Sequence, residues 1–382
     1  MDRCDVLIVG GGPAGSSCAW GLRQAGLDVV IIDKKPFPRD KPCAGWITPE
    51  VVDQLQIDLD AYRLGRVLQP ITGFQVSRVG GRDLQIDYGR TISYGIRRCE
   101  FDEYLLRRCG ARLLEGEQVR DIESAPDGWR VNGSLDARLL VGAGGHFCPV
   151  ARYVSDRIET PEPVVAAQVI EFEMSENQAG ACRVRPEMPE LYFCEDLQGY
   201  GWCVRKGAFL NVGLGREDAA QLPGRVREFV SDLADRGRIP SISDSRFRGH
   251  AYLLYSNTRR PPVGDRIMLV GDAAGMASAY SGEGIRTAVE SGLLAAESII
   301  RAEGDYCTER LQSYTDDLVT RFGRPGEGDG VLSHLPAWIK HALAGPFFAS
   351  RTLVRHIVLD RWFLHASETR SKEAPPPVLL RQ

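Results

Sequence analysis

Asp5-Val6-Leu7-Ile8-Val9-Gly10-Gly11-Gly12-Pro13-Ala14-Gly15 is the stretch that decides the fold. Its short apolar run has no polar alternation and predicts a buried parallel strand, and the Gly-x-Gly-x-x-Gly pattern predicts a tight turn into a helix. Gly10 permits the turn, Gly12 lets backbone N–H groups approach a pyrophosphate, and Gly15 lets the helix pack closely on the strand. The stretch therefore predicts the first half of a dinucleotide site.

The next apolar run completes this unit. Val29-Val30-Ile31-Ile32 ends in Asp33, an acid about 20 residues beyond the glycines, where a ribose hydroxyl needs an acceptor. The helix between the two runs offers unpaired amides and a partial positive charge to phosphate groups. The order of these elements predicts a Rossmann-like dinucleotide-binding unit: a strand, a glycine turn, a helix, a second strand and an acid.

Composition restricts the classes of function. The chain has 382 residues, 43% of them hydrophobic and 26% charged, which is typical of an ordinary globular protein with two or three domains. The net charge of −4 argues against a nucleic-acid binder. The ten cysteines show no Cys-x-x-Cys spacing, so we expect neither a metal site nor a disulfide scaffold. Without an apolar run of spanning length or a signal-peptide pattern, a cytoplasmic enzyme is expected.

A rigid loop follows Asp33. Residues 34–46 contain three prolines and a glycine, which predicts a connection without regular secondary structure that passes over the cofactor. In this position Arg39 and Lys41 could contact phosphate, and Cys43 could lie near a reactive ring. A solvated basic loop with a packed thiol explains the same residues, and the sequence leaves both interpretations open.

The remaining chain predicts a second domain and further glycine turns. Alternating residues around Gly80-Gly81 predict a hairpin, and 164–250 is rich in strand patterns, which together indicate a mainly antiparallel, α+β substrate domain. Buried strands also precede Gly142-Ala143-Gly144-Gly145 and Gly271-Asp272-Ala273-Ala274-Gly275. Such repeated turns suit an extended ligand such as FAD. The predicted domains are an α/β cofactor domain at 1–70, 97–158 and 255–302, a substrate domain at 71–96 and 159–254, and a C-terminal helical region at 303–382.

The C-terminal region mixes large apolar residues with Lys and Arg. Helices docked on the core, an apolar substrate wall and an interfacial membrane patch are all consistent with this composition. The final Ala374-Pro375-Pro376-Pro377 predicts a loose tail.

With these motifs the sequence resembles flavoproteins of the para-hydroxybenzoate hydroxylase fold and, among them, the geranylgeranyl reductase family. The resemblance covers roughly residues 4 to 300. Arg39 to Gly45 is similar to the family's Lys-Pro-Cys-x-Gly loop over the isoalloxazine, and Arg98-x-x-Phe101-Asp102 is similar to a helix start whose arginine touches FAD phosphates. Gly199-Tyr200-Gly201-Trp202 with Lys206-Gly207 resembles the Tyr-x-Trp-x-Phe-Pro-Lys segment that lines the isoprenoid pocket.

The resemblance implies FAD as cofactor and a set of site residues. Cys43, Tyr200 and Trp202 are the implied catalytic residues. The expected cofactor contacts are Gly10, Gly12, Pro13, Ala14, Gly15, Asp33, Lys34, Arg39, Ala44, Gly45, Arg98, Val119, Gly144, Asp272, Gly282, Gly284 and Ile285.

Two positions depart from the family pattern. Val204-Arg205 replaces Phe-Pro, so the pocket is expected to differ, and Ala143-Gly144-Gly145 replaces Ala-Asp-Gly. The missing acid is linked in these flavoproteins to FAD and nicotinamide contacts. NAD(P)H and another donor, such as an electron-donor protein, therefore both stay open as the source of electrons.

The function expected from this resemblance is reduction of C=C bonds in an isoprenoid chain on a lipid, quinone or pigment precursor, by hydride from the flavin. A flavin monooxygenase acting on an aromatic or quinone substrate uses the same fold and is the alternative. A flavin-carrying electron-transfer protein is a third candidate, whereas the halogenases' Trp-x-Trp-x-Ile-Pro segment is absent. The expected partner is a hydrophobic small molecule or lipid, with contact at a membrane surface left open.

Overall fold

The computed structural model describes residues 2–155, 162–242, 247–326 and 344–365. The strands, in chain order, are β1 Asp2–Val9, β2 Val29–Asp33, β3 Trp46–Ile47, β4 Leu68–Ile71, β5 Gly73–Arg78, β6 Leu84–Asp87, β7 Ser93–Ile96, β8 Arg112–Glu115, β9 Ile122–Ala125, β10 Gly128–Val131, β11 Leu135–Gly142, β12 Val164–Glu173, β13 Glu190–Phe193, β14 Gly199–Lys206, β15 Phe209–Arg216, β16 Arg248–Leu253, β17 Val263–Gly264 and β18 Ile267–Leu269.

The helices, in chain order, are α1 Pro13–Gln24, α2 Pro49–Gln54, α3 Leu59–Arg63, α4 Arg98–Arg108, α5 Pro149–Ser155, α6 Glu176–Ala181, α7 Leu222–Asp235, α8 Ile285–Arg301, α9 Thr308–Phe322, α10 344–349 and α11 Arg351–Leu353, which continues as a π-helix over Val354–Phe363. Within the four described ranges, no helix combines the length and the apolar composition needed to cross a membrane.

The first sheet has the strand order β17-β18-β11-β1-β2-β8, with β9 and β10 added beside β11. Its central strands are parallel: Val6 in β1 lies opposite Leu139 in β11 on one side and Val29 in β2 on the other. These three side chains are fully buried, as a parallel sheet covered on both faces requires. The carboxyl ends of β1, β2, β11 and β18 therefore meet at one edge, where the glycine turns follow.

Helices α1 and α8 pack against each other at unusually short range because small residues meet there. A Cβ built on Gly292 of α8 would lie 2.3 Å from the Ala14 carbonyl oxygen of α1, and one on Gly21 would lie 2.9 Å from Ala296 Cβ. No side chain fits at Gly292 unless the helices separate. This contact joins the first glycine turn to the last one.

The second sheet has the order β16-β12-β15-β14-β13-β5-β6 and is antiparallel except for the β13–β5 pair. A small third sheet, β3-β7-β4, lies between the two. The C-terminal segment, which we define as residues 344–365, packs on the second sheet. Its Val358, Leu359 and Phe363 join a buried apolar cluster with Phe74 and Trp202.

The predicted α/β fold with a Rossmann-like sheet, an antiparallel-rich sheet and C-terminal helices is confirmed. The hairpin around Gly80-Gly81 forms between β5 and β6. The sequence did not identify β16, whose residues lack a run of β-branched side chains, nor the separate third sheet. The domain limits stay a prediction, since 156–161 lie outside the described residues, as do the Pro-rich tail and residues 335–343.

The α1–α8 contact yields a stability prediction. Gly292→Ala should lower the free energy of unfolding by about 1–3 kcal/mol, because the added methyl group overpacks a helix interface. Gly224→Ala in α7 is the matched control: its built Cβ meets nothing within 4 Å, so helix propensity alone should stabilise the protein by up to about 1 kcal/mol. Urea unfolding measures both. Equal stability of the two variants would contradict the close-packing argument.

Candidate functional site

A cavity of about 1040 Å³ opens where the carboxyl edge of the first sheet faces the second sheet. It is lined by the β1–α1 turn, the loop 34–46, the turns after β11 and β18, and residues of β12, β14 and β16. Every site residue predicted from the sequence lines this cavity except Gly15. The chain thus brings together residues that lie as far apart in sequence as Gly10 and Ile285.

The β1–α1 turn is built on two close backbone approaches. Gly10 has φ +117°, and a Cβ there would lie 2.4 Å from the Ala143 carbonyl oxygen. A Cβ on Gly15 would lie 2.0 Å from the Gly10 carbonyl oxygen. Gly15 therefore serves the packing of α1 on β1, which explains why it does not line the cavity. Its predicted cofactor role is indirect at most.

Open space lies in front of the α1 N-terminus. A Cβ on Gly12 would meet only the Arg39 guanidinium, at 3.5 Å. Asp33 at the end of β2 accepts the Gly11 N–H at 2.9 Å and the Lys35 N–H at 3.0 Å, and each carboxylate oxygen retains a lone pair for a further donor. A helix N-terminus, a cation and a ribose acceptor are thus grouped as a dinucleotide requires.

Arg98, at the start of α4, is buried and forms two hydrogen bonds to Asp102, at 2.8 and 2.9 Å. Burial opposes its charge, but the Asp102 carboxylate and the Cys43 thiol outweigh this effect and raise the pKa of Arg98. Arg39 lies 3.7 Å from Asp102 and 3.8 Å from Asp33. The two arginines therefore place permanent positive charge at the cavity, Arg39 from the loop that carries Cys43 and Arg98 from α4.

Asp272, in the turn after β18, carries the opposite charge. Its Oδ2 lies 3.3 Å from Lys41 Nζ and 3.4 Å from His250 Nε2. Burial would raise the pKa of Asp272, but Lys41 and His250 outweigh it and hold this pKa well below the usual range. Burial and Lys41 together lower the pKa of His250, which favours the neutral imidazole at neutral pH. Asp272 is therefore a carboxylate that can accept ligand hydroxyl groups.

The turn before α8 adds a buried hydrogen bond. Glu283 lies between Gly282 and Gly284, and its Oε2 lies 3.0 Å from Nε2 of His365 in the C-terminal segment. Burial opposes its ionisation, but His365 and Arg286 lower the pKa of Glu283. This pair connects the C-terminal segment to the cavity wall.

Aromatic rings form the other side of the cavity. Tyr200 and Trp202 of β14 have centroids 6.0 Å apart, and Phe363 of the C-terminal segment packs edge-on against Tyr200 at 5.4 Å. Trp46 extends this wall towards the loop. The Tyr200 hydroxyl donates to the Ser281 carbonyl oxygen, and burial raises the pKa of Tyr200, so the phenol stays neutral.

Several lining residues escaped the sequence analysis. His250 and Tyr252 lie on β16, which had not been identified, and Trp46, the last residue of the predicted loop, had been given no role. Glu283 could have been predicted from the sequence, because it lies between two predicted cofactor contacts, Gly282 and Gly284. Among the residues that the structure describes, no group of His, Cys, Asp or Glu side chains is arranged to hold a metal ion.

The comparisons with known proteins agree with this geometry. The family model described as FAD binding domain matches residues 3–321. The chain is 30% identical to menaquinone reductase of Mycobacterium tuberculosis over 321 residues, which cover 78% of this chain and 76% of that protein. It is 28% identical to chloroplastic geranylgeranyl diphosphate reductase of Nicotiana tabacum, covering 81% and 68%.

A solved structure shows the same fold. A geranylgeranyl bacteriochlorophyll reductase-like protein from Thermoplasma acidophilum matches with a TM-score of 0.76 at 20% identity, covering 97% of this chain and 98% of that one. The predicted cofactor is confirmed by the match to the FAD binding domain, and the open, cation-lined space at Gly12 fits it. The individual contacts with FAD stay predictions.

Gly12 gives a direct test of these contacts. Gly12→Val should weaken FAD binding by at least about tenfold, because the side chain enters the space in front of the α1 N-terminus where the pyrophosphate is expected. The fold should persist, since the built Cβ meets no backbone atom within 4 Å. Titration with FAD followed by flavin fluorescence measures the affinity, with far-ultraviolet circular dichroism as the control. Unchanged affinity would place the pyrophosphate elsewhere.

Proposed function

We propose that this chain, which belongs to the geranylgeranyl reductase family of FAD-dependent oxidoreductases, reduces carbon–carbon double bonds in an isoprenoid chain on a quinone or lipid. The names of its relatives specify menaquinone and geranylgeranyl diphosphate, two molecules that share an isoprenoid chain and differ in the head group. We therefore base the proposal on the isoprenoid part of the substrate and leave its head group open.

One observation carries the proposal: the aromatic wall and the FAD-side turns line the same cavity. Tyr200 and Trp202 come from the second sheet, whereas Gly12 and Asp272 lie in the turns that follow strands of the first. An isoprenoid chain has no hydrogen-bonding groups, so its binding depends on apolar area removed from water. Flat rings are suited to hold a planar alkene against the cofactor.

The reaction requires a hydride and a proton on adjacent carbons. When bound, reduced FAD supplies the hydride together with both electrons. Tyr200 and Trp202 orient the alkene and exclude water, and the protein or solvent delivers the proton that completes the second C–H bond. The product then carries two more hydrogen atoms than the substrate.

Cys43 is our candidate for the proton donor. Its side chain lines the cavity, and its sulfur accepts the Gly45 N–H at 3.4 Å. Arg98 lines the same cavity as Cys43.

The reduction of an alkene is tested with anaerobically reduced protein. We expect that mixing it with geranylgeranyl diphosphate, or with a prenylated naphthoquinone, restores the oxidised flavin spectrum and yields a product with two added hydrogen atoms. Fragment masses should locate these atoms in the side chain and not in the quinone ring. Trp202→Ala should raise KM for both substrates by at least about tenfold, because a large apolar contact is lost.

Other outcomes identify the alternatives. An oxygenated product that forms only after air is admitted would replace the reductase by a monooxygenase. Flavin reoxidation by the quinone with an intact side chain would indicate an electron-transfer protein. The physiological electron donor, NAD(P)H or a protein, follows from which of them reduces the bound flavin.

Variants of Cys43 separate its two roles. If the thiol delivers the proton, Cys43→Ala and Cys43→Ser should both lower kcat by about 10²–10⁴-fold with little change in KM, since a serine hydroxyl is a far weaker acid. If Cys43 only supports the loop, Cys43→Ser should retain kcat because its oxygen can still accept the Gly45 N–H. Single-turnover kinetics with reduced enzyme measure the chemical step directly.

A further inference from the structure

Lys206, at the end of β14, places a charged group where no water reaches it. Its side chain is fully buried, and its Nζ donates to the Ala44 carbonyl oxygen at 3.0 Å and to the Ile96 carbonyl oxygen at 2.9 Å. The third N–H of the ammonium group donates to the carboxylate of Glu171, in β12. All three ammonium protons are therefore used, as an ammonium group in such a position requires.

Glu171 is the centre of this group. One oxygen accepts from Lys206 and, at 2.9 Å, from the Asn211 amide, while the other lies 3.4 Å from Arg97 Nε. Arg97 directly precedes Arg98, the buried arginine of the FAD side, and also pairs with Glu100 at 2.8 Å. A chain of ion pairs and hydrogen bonds thus runs from the second sheet to the start of α4.

Asn211, on β15, connects two of the predicted catalytic residues. Its amide nitrogen donates to the Cys43 carbonyl oxygen at 2.9 Å, and its amide oxygen accepts from Trp202 Nε1 at 2.8 Å. The indole that forms the aromatic wall and the backbone that carries the thiol are therefore held by one side chain. Neither of these bonds depends on a bound ligand.

The loop between β2 and β3 needs such support because residues 34–45 contain no helix or strand. Its first part contacts the FAD side through Arg39 and Lys41. Its last part contacts the second sheet through the carbonyl groups of Cys43 and Ala44. Gly45, at φ +72°, passes so close to Lys206 that a Cβ there would lie 2.6 Å from Nζ. The loop therefore bridges the two halves of the cavity.

We propose that Lys206, Glu171 and Asn211 are positioning residues that clamp residues 43–45 to the second sheet and so set the place of the Cys43 thiol relative to Trp202. None of the three is assigned a contact with substrate or with FAD. The clamp acts through backbone carbonyl groups, so its effect is independent of the substrate's head group and of the reaction proposed above.

A buried ion pair could instead serve stability alone, and a charge-neutral variant separates the two roles. Lys206→Met with Glu171→Gln removes both charges together, which avoids an unpaired buried charge and limits the loss of thermal stability to that of two carbonyl oxygens left without this donor. An amide oxygen remains for Asn211, and Arg97 retains Glu100. What is lost is the pair of bonds from the ammonium to Ala44 and Ile96.

The test measures Cys43 alkylation by N-ethylmaleimide in the FAD-bound protein, followed by peptide mass spectrometry so that the other nine cysteines serve as internal references. One charged hydrogen bond, from Lys206 to the Ala44 carbonyl oxygen, holds the loop itself, and a second holds Ile96 of β7, whose N–H donates to the Gly45 carbonyl oxygen. We therefore expect the double variant to react at Cys43 at least about tenfold faster than wild type. Asn211→Leu, which cuts the bond to the Cys43 carbonyl oxygen and keeps the ion pair, should also accelerate alkylation and remains informative if the double variant does not fold.

A second ion pair in the same sheet provides the matched control. Glu190 of β13 pairs with Arg238 and accepts from Tyr192, and within the described part of the chain neither of these bonds involves the loop. Glu190→Gln with Arg238→Met should leave the rate of Cys43 alkylation unchanged. The proposal is overturned if the Lys206–Glu171 variant keeps the wild-type alkylation rate, or if both double variants accelerate alkylation equally, since a general loss of rigidity would then explain the effect.

Discussion

The close packing of the β1–α1 turn against β11 is the constraint on which the rest of the structure depends. Gly10 lies against the Ala143 carbonyl oxygen and Gly15 against the Gly10 carbonyl oxygen, with no room for a side chain at either position. This approach holds the N-terminus of α1 at the edge where β2, β11 and β18 also end. It also lets α8 pack on α1 through Gly292, so the first and last glycine turns face one cavity.

The cavity is divided by polarity. Charged groups lie on the FAD side and are paired there: Asp272 with Lys41, and Arg98 with Asp102. The aromatic rings of Tyr200 and Trp202 lie on the side of the second sheet. Buried charges are stable only with partners, whereas an apolar chain gains from area alone. The same cavity can therefore hold a charged cofactor and an apolar substrate side by side.

The loop between β2 and β3 determines how these two sides meet. It has no hydrogen-bonded secondary structure of its own, so its course depends on partners at both ends. Arg39 and Lys41 face the carboxylates of the FAD side, and the carbonyl groups of Cys43 and Ala44 accept from Asn211 and Lys206. Because backbone carbonyl groups must find donors when buried, this arrangement holds the end of the loop against the second sheet.

The sequence by itself determined the local parts of the site. The Gly10–Gly15 pattern, Asp33 and Asp272 were predicted because a strand and a glycine turn close in sequence already specify a phosphate-side geometry, and the resemblance added the roles of Arg98, Tyr200 and Trp202. Only the tertiary structure placed His250 beside Asp272 and His365 beside Glu283. It also placed the Lys206 ammonium within hydrogen-bond distance of the Ala44 carbonyl oxygen, 162 residues away in the sequence. Local periodicity specifies which face of a strand is buried. It carries no information on which distant strand becomes the neighbour, and this pairing decides where buried charges find their partners.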